Sequence, residues 1–419
     1  MTDAANLFSF SFALLIAAVV LTKFWLVYRQ ARCVAANKGR VPPPFASTVD
    51  LAAHQKAADY TQAKLRLDTV DTAVHFAVLL GWTLLGGLNA LNQGISDLPL
   101  SNLALQLVVL VAFVAVGAVL DLPLSWYRTF VLEQRFGFNN STVAQWLVDG
   151  LKGAVLALIL GVPLAAAVLW VMRSSGPLWW LWAWMVYMGF SLLLMWAFPA
   201  FIAPMFNSFK PLTDATLKDR VSALMVRCGF QPAGFFVMDG SRRSAHANAY
   251  FTGMGTHKRV VFYDTLLEQL SPAELEAVLA HELGHFHHRH LIKRLTAMCL
   301  VSLGAFAALG WLASRTWFYE GLGVQPSIQT PNDALALILF MLITPLVSFF
   351  ASPLMAAASR RDEFEADHFA AQNTQAADLA SALLKLYHGN ASTLTPDPAY
   401  VAFFHSHPPA SKRLARLTP

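Results

Sequence analysis

Two histidines four residues apart, with a glutamate directly after the first, are the residues best suited to chemistry in this chain: Ala280-His281-Glu282-Leu283-Gly284-His285. In a helix, positions i and i+4 share a face one turn apart. His281 and His285 can therefore aim ring nitrogens at one tetrahedral ion, for which zinc is the natural choice. Glu282 stands beside that face, poorly placed as a ligand but able to act as general base toward a water at the metal. The bland alternative is a surface helix that happens to carry two histidines.

A catalytic zinc usually keeps three protein ligands and an open position. The third candidate lies in the acidic run Asp362-Glu363-Phe364-Glu365-Ala366-Asp367-His368. Glu363 and Asp367 are i and i+4, so Glu363 can ligate while Asp367 orients a ligand histidine. Asp362 and Glu365 point elsewhere and read as surface charge. Late in the chain, His407 and Arg413 are either tail residues or a pair that stabilises the oxyanion of a tetrahedral intermediate.

Positioning these groups requires a helix over 271–290. Ser271-Pro272-Ala273-Glu274 is a capping box with Pro at the first helical position. His287, His288 and His290 continue that helix as a polar collar near the membrane, with His290 an outside candidate to face the site. Upstream, 213–228 carries a helical apolar stripe that Gly229 ends, and 235–238 and 259–263 are β-rich. Between them, 244–253 reads as an ordinary hairpin or as an edge strand whose Asn248, Ala249, Tyr250 and Phe251 could hold an extended substrate backbone. His246 in that stretch is either substrate-side or superficial. Residues 130–140, FVLEQRFGFNN, read as a compact packed loop.

The 419 residues are 56% hydrophobic and 13% charged, with mean hydropathy +0.49. Soluble domains carry about 25% charged residues, so the chain is expected to be a polytopic membrane protein. The net charge of +5 comes without a basic repeat or interleaved aromatics, which argues against nucleic acid. Cys33, Cys228 and Cys299 are far apart, without C-x-x-C spacing, and read as reduced.

Seven apolar stretches are long enough to cross a bilayer, at about 7–27, 72–91, 103–122, 153–172, 178–198, 295–313 and 334–352. Pro345 should kink the last. Residues 46–67 read as a separate polar helix outside the membrane. No span shows the paired intramembrane charges of a transport path. Lys and Arg are plentiful in alternate connections, which predicts an outer N-terminus and cytosolic catalytic residues. The expected division is a membrane part, 1–202, and a peptidase part, 203–419, containing the last two spans.

Five separated stretches, FVLEQRFGFNN, SAHANAYFTG, HELGHFHHRH, SRRDEFEADHF and SHPPASKRL, resemble the type I CAAX prenyl proteases in order and spacing. The resemblance covers most of the chain from about residue 120. It implies a mainly α membrane protein of about seven transmembrane helices around a chamber, with a small β-sheet in a cytosolic peptidase domain. It implies one zinc ion on His281, His285 and Glu363, and Glu282 as base. Asn248–Phe251 would bind substrate backbone, with His407 and Arg413 near the scissile bond. The substrate would be a peptide or protein, C-terminally prenylated in the family. The alternatives are a quality-control protease without prenyl specificity, and a non-enzymatic lipid-binding or transport chamber with structural zinc. The short-looped, Ala-rich character suggests a bacterial inner membrane, or the endoplasmic reticulum if eukaryotic.

Overall fold

The computed structural model describes residues 2–46, 48–253, 257–327 and 331–417; the outer limits of the expected division, 1 and 419, lie outside them. The first half is helical: α1 (Asp3–Asn37), α2 (Leu51–Trp82), α3 (Gly87–Ser96), α4 (Asn102–Trp126), α5 (Val143–Ser174) and α6 (Trp179–Ala197). Thr2, Asp50, Ser101 and Thr142 cap α1, α2, α4 and α5 by accepting an N–H of the first turn, which serves donors that would otherwise be unpaired. The second half carries β1 (Phe209–Pro211), α7 (Ala215–Arg227), β2 (Gln231–Met238), β3 (Ala249–Thr252), β4 (His257–Tyr263), α8 (Pro272–His287), α9 (His290–Leu312), α10 (Asp333–Phe349), α11 (Ser352–Asn373), α12 (Ala376–Gly389), α13 (Pro398–Phe404) and α14 (Ala410–Leu417).

Among the described residues, five helical rods are long and apolar enough to cross a membrane: Asp3–Asn37, Asn102–Phe136, Val143–Ser174, Gly176–Phe206 and His290–Leu312. Two bent pairs, α2 with α3 at 49° and α10 with α11 at 63°, bring the count to as many as seven. The second bend is not at Pro345, which stays inside α10; the chain turns at Phe350 and Ala351, just before Pro353. Most of these rods are longer than a bilayer needs. α1 has 35 residues, roughly 50 Å of helix against an apolar layer of about 30 Å. Its projecting end carries Arg29 to Asp397, 3.1 Å away, which itself caps α13. The expected helix over 46–67 does not stop there; α2 runs on into the second span.

Polar side chains of α2 and of the Asn102–Phe136 rod meet. His75 lies 3.6 Å from Asp71 and 3.4 Å from Asp121, and Arg128 lies 3.8 Å from Asp71. Asp71 and His75 lie one turn apart on α2, but Asp121 and Arg128 belong to the Asn102–Phe136 rod, so their pairings could not be read from either helix alone.

The strands form one sheet in the order β1-β2-β4-β3, with β2 and β4 parallel and both outer pairs antiparallel. β3 is thus both arm of a hairpin and free edge. Beneath the sheet α8 is central: Leu275, Leu279 and Leu283, one turn apart, are buried with Leu217, Val221 and Leu224 of α7, Val260 and Phe262 of β4, and Phe369 of α11. A separate apolar cluster joins the membrane helices through Phe12, Leu26, Leu79, Leu169, Phe318 and Ile338.

Residues 130–140 are mostly helical rather than loop. α4 continues through a π-helical turn, Tyr127–Glu133, and one further turn, Gln134–Phe136, before Gly137 reverses the chain at φ +81°. The segment docks on the stretch ahead of β3. Phe138 stacks on His246 at 4.6 Å, Asn140 donates to the Ser241 carbonyl, and Tyr60 donates to Glu133 at 2.7 Å. His246 is neither superficial nor free, since Nδ1 also meets Asn390 at 3.0 Å.

Candidate active site

α8 and α11 meet at Gly284. A Cβ there would stand 3.0 Å from Ala366 Cα and 3.1 Å from Phe369 Cβ, so a larger residue would push the two helices apart by a few tenths of an ångström. The approach sets His281 and His285 opposite Glu363. His281 Nε2 is 3.5 Å from Glu363 Oε2, and His285 Nε2 is 3.4 Å from Oε1. All three residues offer ligand atoms within 4.8 Å of one another.

These separations fit a metal better than they fit direct contact. Tetrahedral ligands at about 2.0–2.1 Å from an ion stand roughly 3.4 Å apart. Glu363 is 2% exposed, yet Oε2 has no hydrogen bond, an arrangement that is costly unless a cation completes it. His407 Nδ1 is 2.8 Å from that oxygen but off the line of its N–H. Two imidazoles and a carboxylate are also a common donor set for a catalytic metal. Burial alone would raise the Glu363 carboxyl, but His281, His285 and His407 hold it far below the usual carboxylate range.

Behind His281 stands a carboxylate. Its Nδ1 is 2.8 Å from Asp367 Oδ1, and Arg413 grips Asp367 through Nε at 2.8 Å and through Nη2. Burial opposes charge on His281, but Asp367 and Glu363 outweigh it and lift its pKa to about 9; a metal here must displace a proton. Burial opposes charge on Asp367 as well, and His281 and Arg413 overcome it, holding the carboxyl below its ordinary value.

Glu282, half-buried, has no hydrogen bond or ion pair among the described residues. Arg413 is buried and committed to Asp367, with Nη1 3.8 Å from Glu363, whereas His407 is largely exposed at the rim. Both line a cavity of about 490 Å³ together with Tyr60, Lys64 and Tyr387.

The helix carrying the motif is shorter than its pattern suggests. α8 ends at His287, and Arg289, at φ +56°, turns the chain so that His290 starts α9. His290 is therefore no part of a collar. It is 1% exposed, with Nδ1 2.9 Å from His285 Nδ1 and Nε2 3.1 Å from Glu365 Oε2. Asp362, 3.6 Å from His290 Nε2, completes this group. Asp362 and Glu365 are thus not plain surface charge. Nothing in the sequence marks the break, because Arg289 is no usual helix terminator.

The Phe251 ring of β3 packs edge-on to Phe286 of α8 at 5.9 Å. Tyr263 N–H bonds to the Asn248 carbonyl, and Tyr250 pairs with Val261 in the same register. Alternation then directs the backbone groups of Ala249 and Phe251 to the open edge, where the Ala249 N–H is taken by the Asn248 side chain.

Fold and site together define an integral-membrane metallopeptidase. The chain belongs to peptidase family M48, whose model matches residues 211–419, while that of the CAAX prenyl protease N-terminal region, with five membrane helices, matches residues 30–208. It is 33% identical over 418 residues to CAAX prenyl protease 1 of Saccharomyces cerevisiae, covering 94% of this chain and 91% of that protein. It is 32% identical over 406 residues to the CAAX prenyl protease 1 homolog of Oryza sativa subsp. japonica, covering 94% and 93%. Among solved structures, that of S. mikatae Ste24p superposes with a TM-score of 0.92 at 30% identity, over the whole of both chains. A membrane part of five to seven spans, the small sheet and the metalloprotease assignment stand on these findings, and the substrate is a peptide or protein.

Proposed function

We propose that the chain hydrolyses a peptide bond near the C-terminus of prenylated CAAX-type proteins, using one zinc ion held by His281, His285 and Glu363. The observation that carries this is the buried Glu363 carboxylate, whose two oxygens each stand at ligand separation from one histidine nitrogen and whose Oε2 has no hydrogen bond. When bound, zinc supplies Lewis acidity that acidifies a water and polarises a carbonyl. Glu282, with no competing partner, takes the proton of the attacking water and hands it to the leaving amine. Asp367, gripped by Arg413, fixes the ring of His281. His407, at the rim, donates to the developing oxyanion; Arg413 is too committed to Asp367 for that role. An extended substrate adds to β3 through the Ala249 carbonyl and both backbone groups of Phe251, with Asn248 and Tyr250 keeping the strand in register.

The prenyl preference rests on the names of the relatives. A water-filled interior between the spans is supported by the polar contacts of Asp71 and His75 with Asp121 and Arg128, which join two of the spanning helices. On this reading the membrane part (1–202) frames the chamber and the peptidase part (203–419) closes its cytosolic end, with the N-terminus outside.

The test is mass spectrometry of a farnesylated CAAX peptide and its unprenylated twin incubated with purified protein. Loss of the last three residues from the lipidated peptide alone is expected. Equal cleavage of both would remove the prenyl preference and leave a general endopeptidase. Glu282→Gln should retain zinc and lose about 10²–10⁴-fold in rate; wild-type turnover by that variant would refute the mechanism.

A further inference from the structure

We propose that His290 and Glu365 set the proton and the angle of His285, which makes His290 a positioning residue for the metal site. The inference rests on His285 being a ligand through Nε2. An imidazole that ligates through Nε2 carries its proton on Nδ1. His285 Nδ1 faces His290 Nδ1 at 2.9 Å, and two protonated nitrogens cannot share that contact. His285 therefore donates and His290 accepts. The proton of His290 is then on Nε2, which donates to Glu365 Oε2 at 3.1 Å. Glu365 is held in turn by Arg361 Nε at 3.0 Å. One proton arrangement satisfies the whole chain from Arg361 to His285.

The backbone is bent to make this contact. In an unbroken helix residue i+5 lies about 140° round from residue i, so His290 would turn away from His285. Arg289, left-handed at φ +56°, is a conformation that disfavours any residue with a side chain. It ends α8 and swings the His290 ring back over His285, where it is 1% exposed.

His290, Asp362 and Glu365 could instead hold a metal of their own, since their ligand atoms lie within 4.8 Å of one another. Their acids are already matched by cations: Arg294 is 3.2 Å from Asp362, and Arg361 and Lys293 are 3.0 and 3.9 Å from Glu365. Three positive side chains around the cluster oppose a further cation. The two ligand histidines are thus braced differently, His281 by a carboxylate directly and His285 by a carboxylate through a second imidazole.

The experiment measures zinc affinity of the purified full-length protein by chelator competition, with zinc content per chain by mass spectrometry. His290→Phe keeps the ring but can neither accept nor donate, and should weaken zinc binding about 10–100-fold and shift the visible spectrum of the cobalt-loaded protein. His290→Gln, able to accept at one end and donate at the other, should restore most of both. Wild-type zinc affinity in His290→Phe overturns the proposal, as does wild-type protein with two zinc ions of which His290→Phe loses one. His281→Ala separates the readings: if it abolishes zinc while His290→Phe does not, the brace fails and the ligand assignment survives. If His281→Ala keeps its zinc, both fail. Should His290→Phe not fold, Glu365→Ala carries the test, and unchanged affinity there overturns the proposal equally.

Discussion

α8 and α9 are consecutive helices separated by a single turn, yet they satisfy their apolar residues in opposite ways. On α8, Leu275, Leu279 and Leu283 are at most 2% exposed, packed against α7, β4 and α11. On α9, Leu300 and Val301 are 64% and 72% exposed within the protein, and few side chains of that helix are buried. The solvent of α9 is lipid, so its apolar surface needs no protein partner. α8 must meet a close-packed core, and the same packing holds its histidines. The difference between the two helices shows that order at the metal site is supplied by the core, while a spanning helix needs only to be long and apolar enough to cross the membrane.

Substitutions at matched positions sharpen this contrast. Leu279→Ala should cost about 2–5 kcal/mol through the cavity it leaves, whereas Leu300→Ala should leave thermal unfolding nearly unchanged; equal losses in melting temperature would break the comparison. Gly284→Ala should cost about 1–3 kcal/mol by wedging α8 from α11 and should weaken zinc binding as Glu363 draws back. Gly304→Ala on α9, where an added Cβ meets nothing within 4 Å, should be neutral or stabilise by roughly 0.5–1 kcal/mol. Thermal melts paired with chelator competition read both effects.

A smaller effect is expected from pH at the start of α8. Glu274 closes the capping box on Ser271 and also meets Ser381 and Lys385. Burial works against its charge, but these partners win and push its pKa down to about 2 from an ordinary 4.5. A folded pKa below the unfolded one means the contribution is complete above about pH 4.5 and fades as pH falls toward 2. Melting temperature should therefore decline across that window, and Glu274→Gln should be less stable at neutral pH and flatten the decline. No counterpart is expected on α9, which lacks a side-chain cap.

Much of the site was readable before folding was considered. His281, Glu282 and His285 follow from spacing, because helical period is a local property. The capping box at Ser271 and the helix ended by Gly229 were legible for the same reason. Glu363 was readable only as the favoured member of an acidic run; its meeting with the histidines depends on how closely α11 approaches α8, which Gly284 permits. Arg413 was read as an oxyanion donor, because its distance along the chain says nothing of its grip on Asp367. Residues 130–140 read as a loop because their aromatics lack a clear helical stripe; they pack across a three-way junction with Tyr60 and His246 rather than along one face.

The amino-acid sequence by itself determined the chemical inventory, the apolar spans and the order of the motifs, since each depends on neighbours within a few turns of chain. The tertiary structure alone decided which acid faces the histidines, that the motif helix stops at Arg289 and returns His290 to His285, and that His75 of one span meets Asp121 of another. Those outcomes depend on the approach of segments far apart in sequence, where ångström-level packing, invisible to periodicity or composition, chooses among side chains of the same kind.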